Sequence, residues 1–284
     1  MLRTIVIQIF GAILSIGPLI KIFFTILKHG WKNVFHVKPR AQPPPCLQDP
    51  KLGEHKYIRT QNGIRLHFVQ KGDPDNPLML FLHGFPEFWY SWRYQMEYFS
   101  SRGFFCVSMD LRGYNDSDKP KGIRAYGLDY LTNDVKDVIE SLGKVISNNS
   151  FVYITSAIYL LFCLHLGKST CTLVAHDWGG LVGYAFTARW PSMVKQYLAI
   201  NIPHPYSMRR EQANSWKQKL MSWYIVFFQC PKLPEIYFAM RDLVLLENMM
   251  IGEAKCDAEV VEAYKYAFRN PGKFQRYFNS RIKV

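Results

Sequence analysis

The run Val174-Ala175-His176-Asp177-Trp178-Gly179-Gly180 constrains the fold of this chain more than any other feature. An apolar, strand-like stretch (Cys171, Leu173, Val174) ends in a small residue, a candidate nucleophile follows two places later, and two glycines open a helix. The order small-x-nucleophile-x-small marks a sharp strand-to-helix elbow, here with a carboxylate in the place often taken by a serine hydroxyl. Small neighbours are needed because larger side chains would collide with the adjoining strand and helix. Such a turn lifts Asp177 to the top of a sheet. Taken alone, the same residues also describe a helix-capping Asp before a Gly-Gly bend.

The surrounding pattern supplies the sheet. After a proline-rich linker (Pro39, Pro43, Pro44, Pro45), strands and helices alternate. Tyr57–Thr60 and Ile64–Gln70 read as a hairpin around Asn62-Gly63. Leu78–Leu82 is fully apolar, as a parallel strand buried on both faces should be. Trp89–Ser100 reads as helix, Phe105–Asp110 as strand, and Tyr130–Leu142 as a helix with Leu131, Val135, Val138 and Leu142 on one face and Gly143 at its end. Cys171–Ala175 and Gln196–Ile202 flank the elbow helix. Repeated βα units imply an α/β fold with a mainly parallel sheet and helices on both faces. From Pro203 onward the pattern is helical and aromatic, without strands, as in a cap.

Thr4 to Leu27 is an almost unbroken apolar run of 24 residues, interrupted at Lys21. It is long enough to cross a bilayer with some tilt, and Lys21 can snorkel. The flank Lys28-His29-Gly30-Trp31-Lys32 lacks a small-x-small cleavage site and reads as an uncleaved transmembrane anchor with an interfacial Trp. Positive charge favours the C-terminal flank, which leaves the globular part cytosolic, on an endoplasmic reticulum membrane. The net charge of +13 is spread along the chain with no aromatic-interleaved basic cluster, so it speaks for a surface near anionic lipid and against nucleic acid. The six cysteines show no metal-ligand spacing and read as reduced thiols. Asn115-Asp116-Ser117 and Asn148-Asn149-Ser150 match a glycosylation sequon, which matters only if the topology is reversed.

One segment breaks the alternation. Helix-to-strand connections usually take a handful of residues, yet Val145–Lys168 lies between Gly143 and Cys171, flanked by Leu-Gly-Lys at Leu142–Lys144 and Leu166–Lys168. Its apolar part, Phe151–Leu166, is short for a span. The segment reads as an in-frame insertion of the kind a retained intron leaves. Gly167-Lys168-Ser169-Thr170 is not a phosphate loop, because Phe162 stands where that motif needs glycine. The expected organisation is therefore an anchor over residues 1–30, a linker over 31–50, a core over 51–202 with the insert 145–168, and a cap over 203–284.

His83-Gly84-Phe85-Pro86-Glu87 follows the first buried strand. Gly84 permits a sharp bend and Pro86 stiffens its exit, as a loop presenting backbone N–H groups to a developing oxyanion requires. His83 reads as a structural support of that loop. Together with Trp89-Tyr90-Ser91-Trp92-Arg93-Tyr94, Asp110-Leu111-Arg112-Gly113-Tyr114, His176–Gly180 and Asn201-Ile202-Pro203-His204-Pro205, this motif makes the chain resemble the epoxide hydrolases of α/β-hydrolase fold, nearest to the membrane-anchored epoxide hydrolase 3 and 4 group. The resemblance covers roughly Cys46–Gly272 apart from the insert, with Ala175 in place of the family's usual glycine.

The resemblance implies that Asp177 is the nucleophile that opens an epoxide, lipid-derived in this reading, and forms an ester. It implies that the N–H groups of Phe85 and Trp178 hold the oxyanion, and that Tyr224, in Trp223–Gln229, protonates the leaving oxygen. Tyr277 is a weak candidate for a second such tyrosine, since Phe278-Asn279 follows it. No metal or cofactor is implied. The family's late acid and base histidine, and its final strands, are not found before the chain stops at Val284; His204, in the strand-to-cap turn, is a poor base. Their lack should slow ester hydrolysis and leave a sheet edge uncovered. Two other readings follow: an inactive, truncated membrane-bound form that binds or interferes, and haloalkane dehalogenase-like hydrolysis on the same Asp-Trp elbow.

Overall fold

A computed structural model of the chain describes residues 16–144, 170–228, 230, 232–251 and 257–269. The insert 145–168, Tyr277 and the first part of the apolar N-terminal run lie outside them. The first helix among the described residues is α1 (Ile16–His29). No helix among the described residues is long and apolar enough to cross a membrane.

Among the described residues six strands form one mixed sheet: β1 (Glu54–Arg59), β2 (Arg65–Lys71), β3 (Leu78–Leu82), β4 (Phe105–Met109), β5 (Cys171–His176) and β6 (Val194–Ile200), in the order β1-β2-β4-β3-β5-β6. β1 and β2 form the expected hairpin, and β2 runs antiparallel to β4. The other pairings, β3–β4, β3–β5 and β5–β6, are parallel. All residues of β3 and β4 are buried, which demands cover on both faces of the sheet. Fully buried Leu80, Phe81, Leu82, Val107 and Leu173 form its centre.

The helices of this core are α2 (Arg93–Ser100), α3 (Leu128–Lys144) and α4 (Asp177–Arg189). Several boundaries shift by one to three residues from the sequence reading, β1 and β6 among them, and two of the differences have a local cause. The segment from Trp89 opens with a 3-10 turn over Trp89–Trp92, because Trp89 N–H is drawn 2.8 Å from the buried Asp110 carboxylate. Gly143 lies inside α3 and does not end it; the helical cost of one glycine, about 1 kcal/mol, is small beside the burial of Val135, Val138, Ile139 and Leu142 along the same face.

β6 lies at the sheet's edge among the described strands and exposes Leu198 and Ile200. After it come the cap helices α5 (Pro205–Asn214), α6 (Trp216–Met221), α7 (Trp223–Phe227), α8 (Leu233–Ile251) and α9 (Ala258–Ala267). α8 is broken by Arg241, Asp242 and Leu243, three successive left-handed residues with φ of 50°, 56° and 65°. None is glycine, so the turn is strained. The linker holds it in place: Arg40 pairs with both carboxylate oxygens of Asp242 at 2.7 Å and with Glu262 at 3.0 Å, and Lys38 N–H donates to Asp242. Ile22 of α1 and Val34 pack on Met240 at the same place. The four described cysteines, Cys46, Cys106, Cys171 and Cys230, are all free thiols.

Candidate active site

The elbow forms as its residues require. β5 delivers His176, and Asp177 takes a left-handed φ of 49°, an uncommon conformation for a non-glycine residue and one that turns its carboxylate back over the sheet. The turn needs glycine on both sides of the gap to β3. A Cβ on Gly179 would come within 2.5 Å of the His83 carbonyl oxygen, and one on Gly84 within 2.5 Å of the Asp177 Cβ. Fully buried Ala175 fits the position where glycine is more usual.

Phe85 N–H donates to Asp177 Oδ1 at 3.1 Å, and Trp178 N–H also reaches this carboxylate. The two N–H groups expected as oxyanion donors therefore converge on the candidate nucleophile itself. Burial raises the Asp177 pKa above its ordinary value, against the two N–H groups and His176, which act to lower it. The result is a desolvated carboxylate with fixed donors on one side.

The loop that carries Phe85 is pinned from behind. Leu111 N–H donates to His83 Nε2 at 3.1 Å, so Nδ1 bears the proton and donates to the Gly84 carbonyl at 2.8 Å. Burial keeps the His83 pKa low, which suits a neutral support and not a base. Pro86 follows Phe85 through a cis peptide bond. Glu87 accepts from Gly84 N–H at 3.0 Å and pairs with His176 Nδ1 at 2.9 Å. Burial raises the Glu87 pKa, but His176 and the Gly84 N–H outweigh it and hold the group below its ordinary value. The hydrogen bond to Glu87 raises that of His176.

Glu87 and His176 are the structural partners that sequence reasoning missed. Both stood in the quoted motifs, three residues after Gly84 and one before Asp177, yet nothing in either motif shows that they meet. Asp110 is another: it is fully buried, accepts from His67, Asn115 and Trp89 N–H, and thereby fixes the start of the helical segment at Trp89.

The cap closes over this loop with aromatic rings. Phe85 makes edge contacts with Phe228, Phe238 and Phe268, at centroid distances of 5.8, 5.4 and 6.1 Å. Tyr224, one turn before Phe228, is 42% exposed; burial and then the Asp177 charge raise its pKa, so the phenol keeps its proton. The structure thus sets Phe85 and Trp178 on Asp177, with His83, Gly84 and Pro86 in the loop that carries Phe85, and brings Tyr224 near enough to feel the Asp177 charge. His204 caps α5 by accepting from Tyr206 N–H at 3.2 Å, a structural role.

Residues 77–235 match the family model described as alpha/beta hydrolase fold. The chain belongs to that family. Among the α/β-hydrolases it is 38% identical over 263 residues to human epoxide hydrolase 4, covering 89% of this chain and 66% of that protein. It is also 38% identical to Caenorhabditis elegans epoxide hydrolase 1, over 94% of this chain and 58% of the relative. The chain thus spans about three fifths to two thirds of these curated relatives. A crystal structure of Bacillus megaterium epoxide hydrolase with an inhibitor superimposes with a TM-score of 0.63 at 35% identity, covering 79% of this chain and 71% of that one.

Proposed function

We propose that this α/β-hydrolase acts on epoxides, and that its chemistry begins with an ester on Asp177. The observation that carries this reading is the Asp177 carboxylate held through Oδ1 by the Phe85 N–H, with Trp178 N–H beside it and a protonated tyrosine, Tyr224, on the cap side. The free carboxylate oxygen attacks an epoxide carbon, the ring C–O bond breaks, and its electron pair takes the Tyr224 proton. The oxygen already held by Phe85 becomes the ester carbonyl. When water attacks that carbonyl carbon, the same N–H groups face the oxyanion without rearrangement.

Release of the diol also requires a base to take a proton from the water. His83 and His176 are committed to the loop and to Glu87, and His204 caps a helix. The half of the mechanism that these residues support is alkylation. The substrate we propose is a lipid-derived epoxide, in keeping with the aromatic surfaces of Phe85, Phe228 and Phe238. An attachment to the endoplasmic reticulum membrane through the apolar run Thr4–Leu27, with the globular part cytosolic, is part of the same proposal.

A Bacillus megaterium relative has been crystallised with 3-[1]naphthyloxy-propane-1,2-diol, so the corresponding naphthyl glycidyl ether is a suitable probe. The purified chain should gain the mass of one probe molecule on Asp177, read by intact mass and peptide mapping. Accumulating diol beyond one equivalent would show full turnover; a stable ester would identify a protein that stops after the first step. The absence of both ester and diol would overturn the proposal and leave the non-catalytic binding form. Halide release from a haloalkane without reaction of the epoxide would favour the dehalogenase reading.

A further inference from the structure

The cap carries a surface that the candidate site does not use. α6 presents Trp216, Leu220 and Met221 to solvent, the first two 78% and 70% exposed and one turn apart on the same face. Tyr206 on α5 is equally bare. Arg209, Arg210, Lys217 and Lys219 surround them, all exposed, and the Lys219 ammonium lies 4.4 Å over the Trp216 ring. Glu211 is the one acidic residue between Pro205 and Tyr224.

A chain of ring contacts runs from α7, the helix after this patch, to the N-terminal helix. Trp223 of α7 contacts Phe227 at 5.6 Å, Phe227 contacts Tyr237 of α8 at 5.9 Å, and Lys21 of α1 stands 5.5 Å over the Tyr237 ring. α1 in turn exposes Leu19, Ile20, Phe23, Phe24 and Leu27. α7 and α8 thus link the helix that follows this patch to α1. An indole and aliphatic side chains among cations, with almost no acids, match the chemistry of an anionic headgroup layer: rings at the interface and ammonium and guanidinium groups on phosphate or carboxylate. A second copy of this chain would bring its own cations against these.

We infer that α6 and the end of α5 rest on an anionic phospholipid surface. The inference rests on the membrane attachment proposed above, and adds that the cap itself touches lipid.

Limited trypsin digestion of the full chain on vesicles tests this, with phosphatidylcholine alone against phosphatidylcholine containing phosphatidylserine. Flotation reads attachment, and peptide mapping reads cleavage after Arg209, Arg210, Lys217 and Lys219. Arg59 and Arg102, both exposed on the core, serve as controls. Cleavage at the cap sites should be about tenfold slower on the anionic vesicles, unchanged at the controls, and restored by high salt. A chain carrying Trp216→Ser and Leu220→Ser, both exposed positions, should float as before but lose the protection. Equal cleavage on both vesicles by a chain that floats would overturn the inference and leave the attachment standing. Failure to float would overturn the attachment, and protection that grows with protein concentration without vesicles would assign the surface to a second copy.

Discussion

The two halves of the candidate site are held by different physics. On the core side, the elbow and the His83–Glu87 loop are fixed by hydrogen bonds with few alternatives: Phe85 to Asp177, Leu111 to His83, His83 to Gly84, Gly84 and His176 to Glu87. These rest on strands buried on both faces. On the cap side, Tyr224, Phe228 and Phe238 are placed by ring contacts, and the turn in α8 is held from outside by Arg40 of the linker. Directional bonds leave the Asp177 carboxylate few alternative positions. Ring contacts are less directional and tolerate sliding.

The largest effect should come from the core side. Asp177→Asn keeps the shape of the elbow but removes the attacking oxygen. Ester formation with the glycidyl ether should fall by about 10⁴-fold or more, measured by intact mass. The same variant should be more stable than the parent at neutral pH. Because folding raises the Asp177 pKa above its ordinary 3.8, the penalty for burying its charge is fully present above the folded value. It fades as pH falls through that value, so the two denaturation midpoints should converge in acid. A variant that alkylated normally would remove Asp177 from its role.

Next in size is the contrast in packing. Leu173→Ala, at a fully buried position in β5, should cost about 2–5 kcal/mol in urea unfolding. Leu220→Ala on the cap should change stability by less than about 0.5 kcal/mol. Similar losses at both sites would show that the cap is packed as tightly as the core. Tyr224→Phe removes one oxygen from the cap half. As a general acid, Tyr224 should account for about 10²-fold in the rate of ester formation, with little effect on binding of the probe. An unchanged rate would make Tyr224 a packing residue.

The same division decides what could be read from the sequence. Leu78–Leu82 was legible to the residue because five apolar side chains in a row admit few environments, and the elbow was legible because its glycines answer a local steric demand. The cap was legible only as helical. Nothing in Met240-Arg241-Asp242-Leu243 announces a left-handed turn; it exists because Arg40, some two hundred residues earlier, binds Asp242. The Glu87–His176 pair was hidden for the same reason: it joins two motifs far apart in the chain through the parallel pairing of β3 with β5. Local demands leave marks in a sequence, whereas partnerships across the sheet do not.

That pair gives a small effect on stability and the sharpest pH signature. Folding raises the pKa of His176 and lowers that of Glu87. The His176 contribution is complete below its ordinary value of 6.5 and is lost as pH rises through the higher folded value. The Glu87 contribution is complete above its ordinary value of 4.5 and is lost as pH falls through the lower folded one. Both are present together between these limits, so the stability difference between the parent chain and Glu87→Gln should peak near pH 5–6 at about 1 kcal/mol. It should shrink toward both pH 3 and pH 8 in urea titrations. The substituted amide can still accept from Gly84 N–H, so the loop keeps its shape and the loss reports the charge alone. A difference independent of pH would mean that Glu87 braces the elbow through geometry, and that the core half of the site needs no ion pair to hold Asp177 in place.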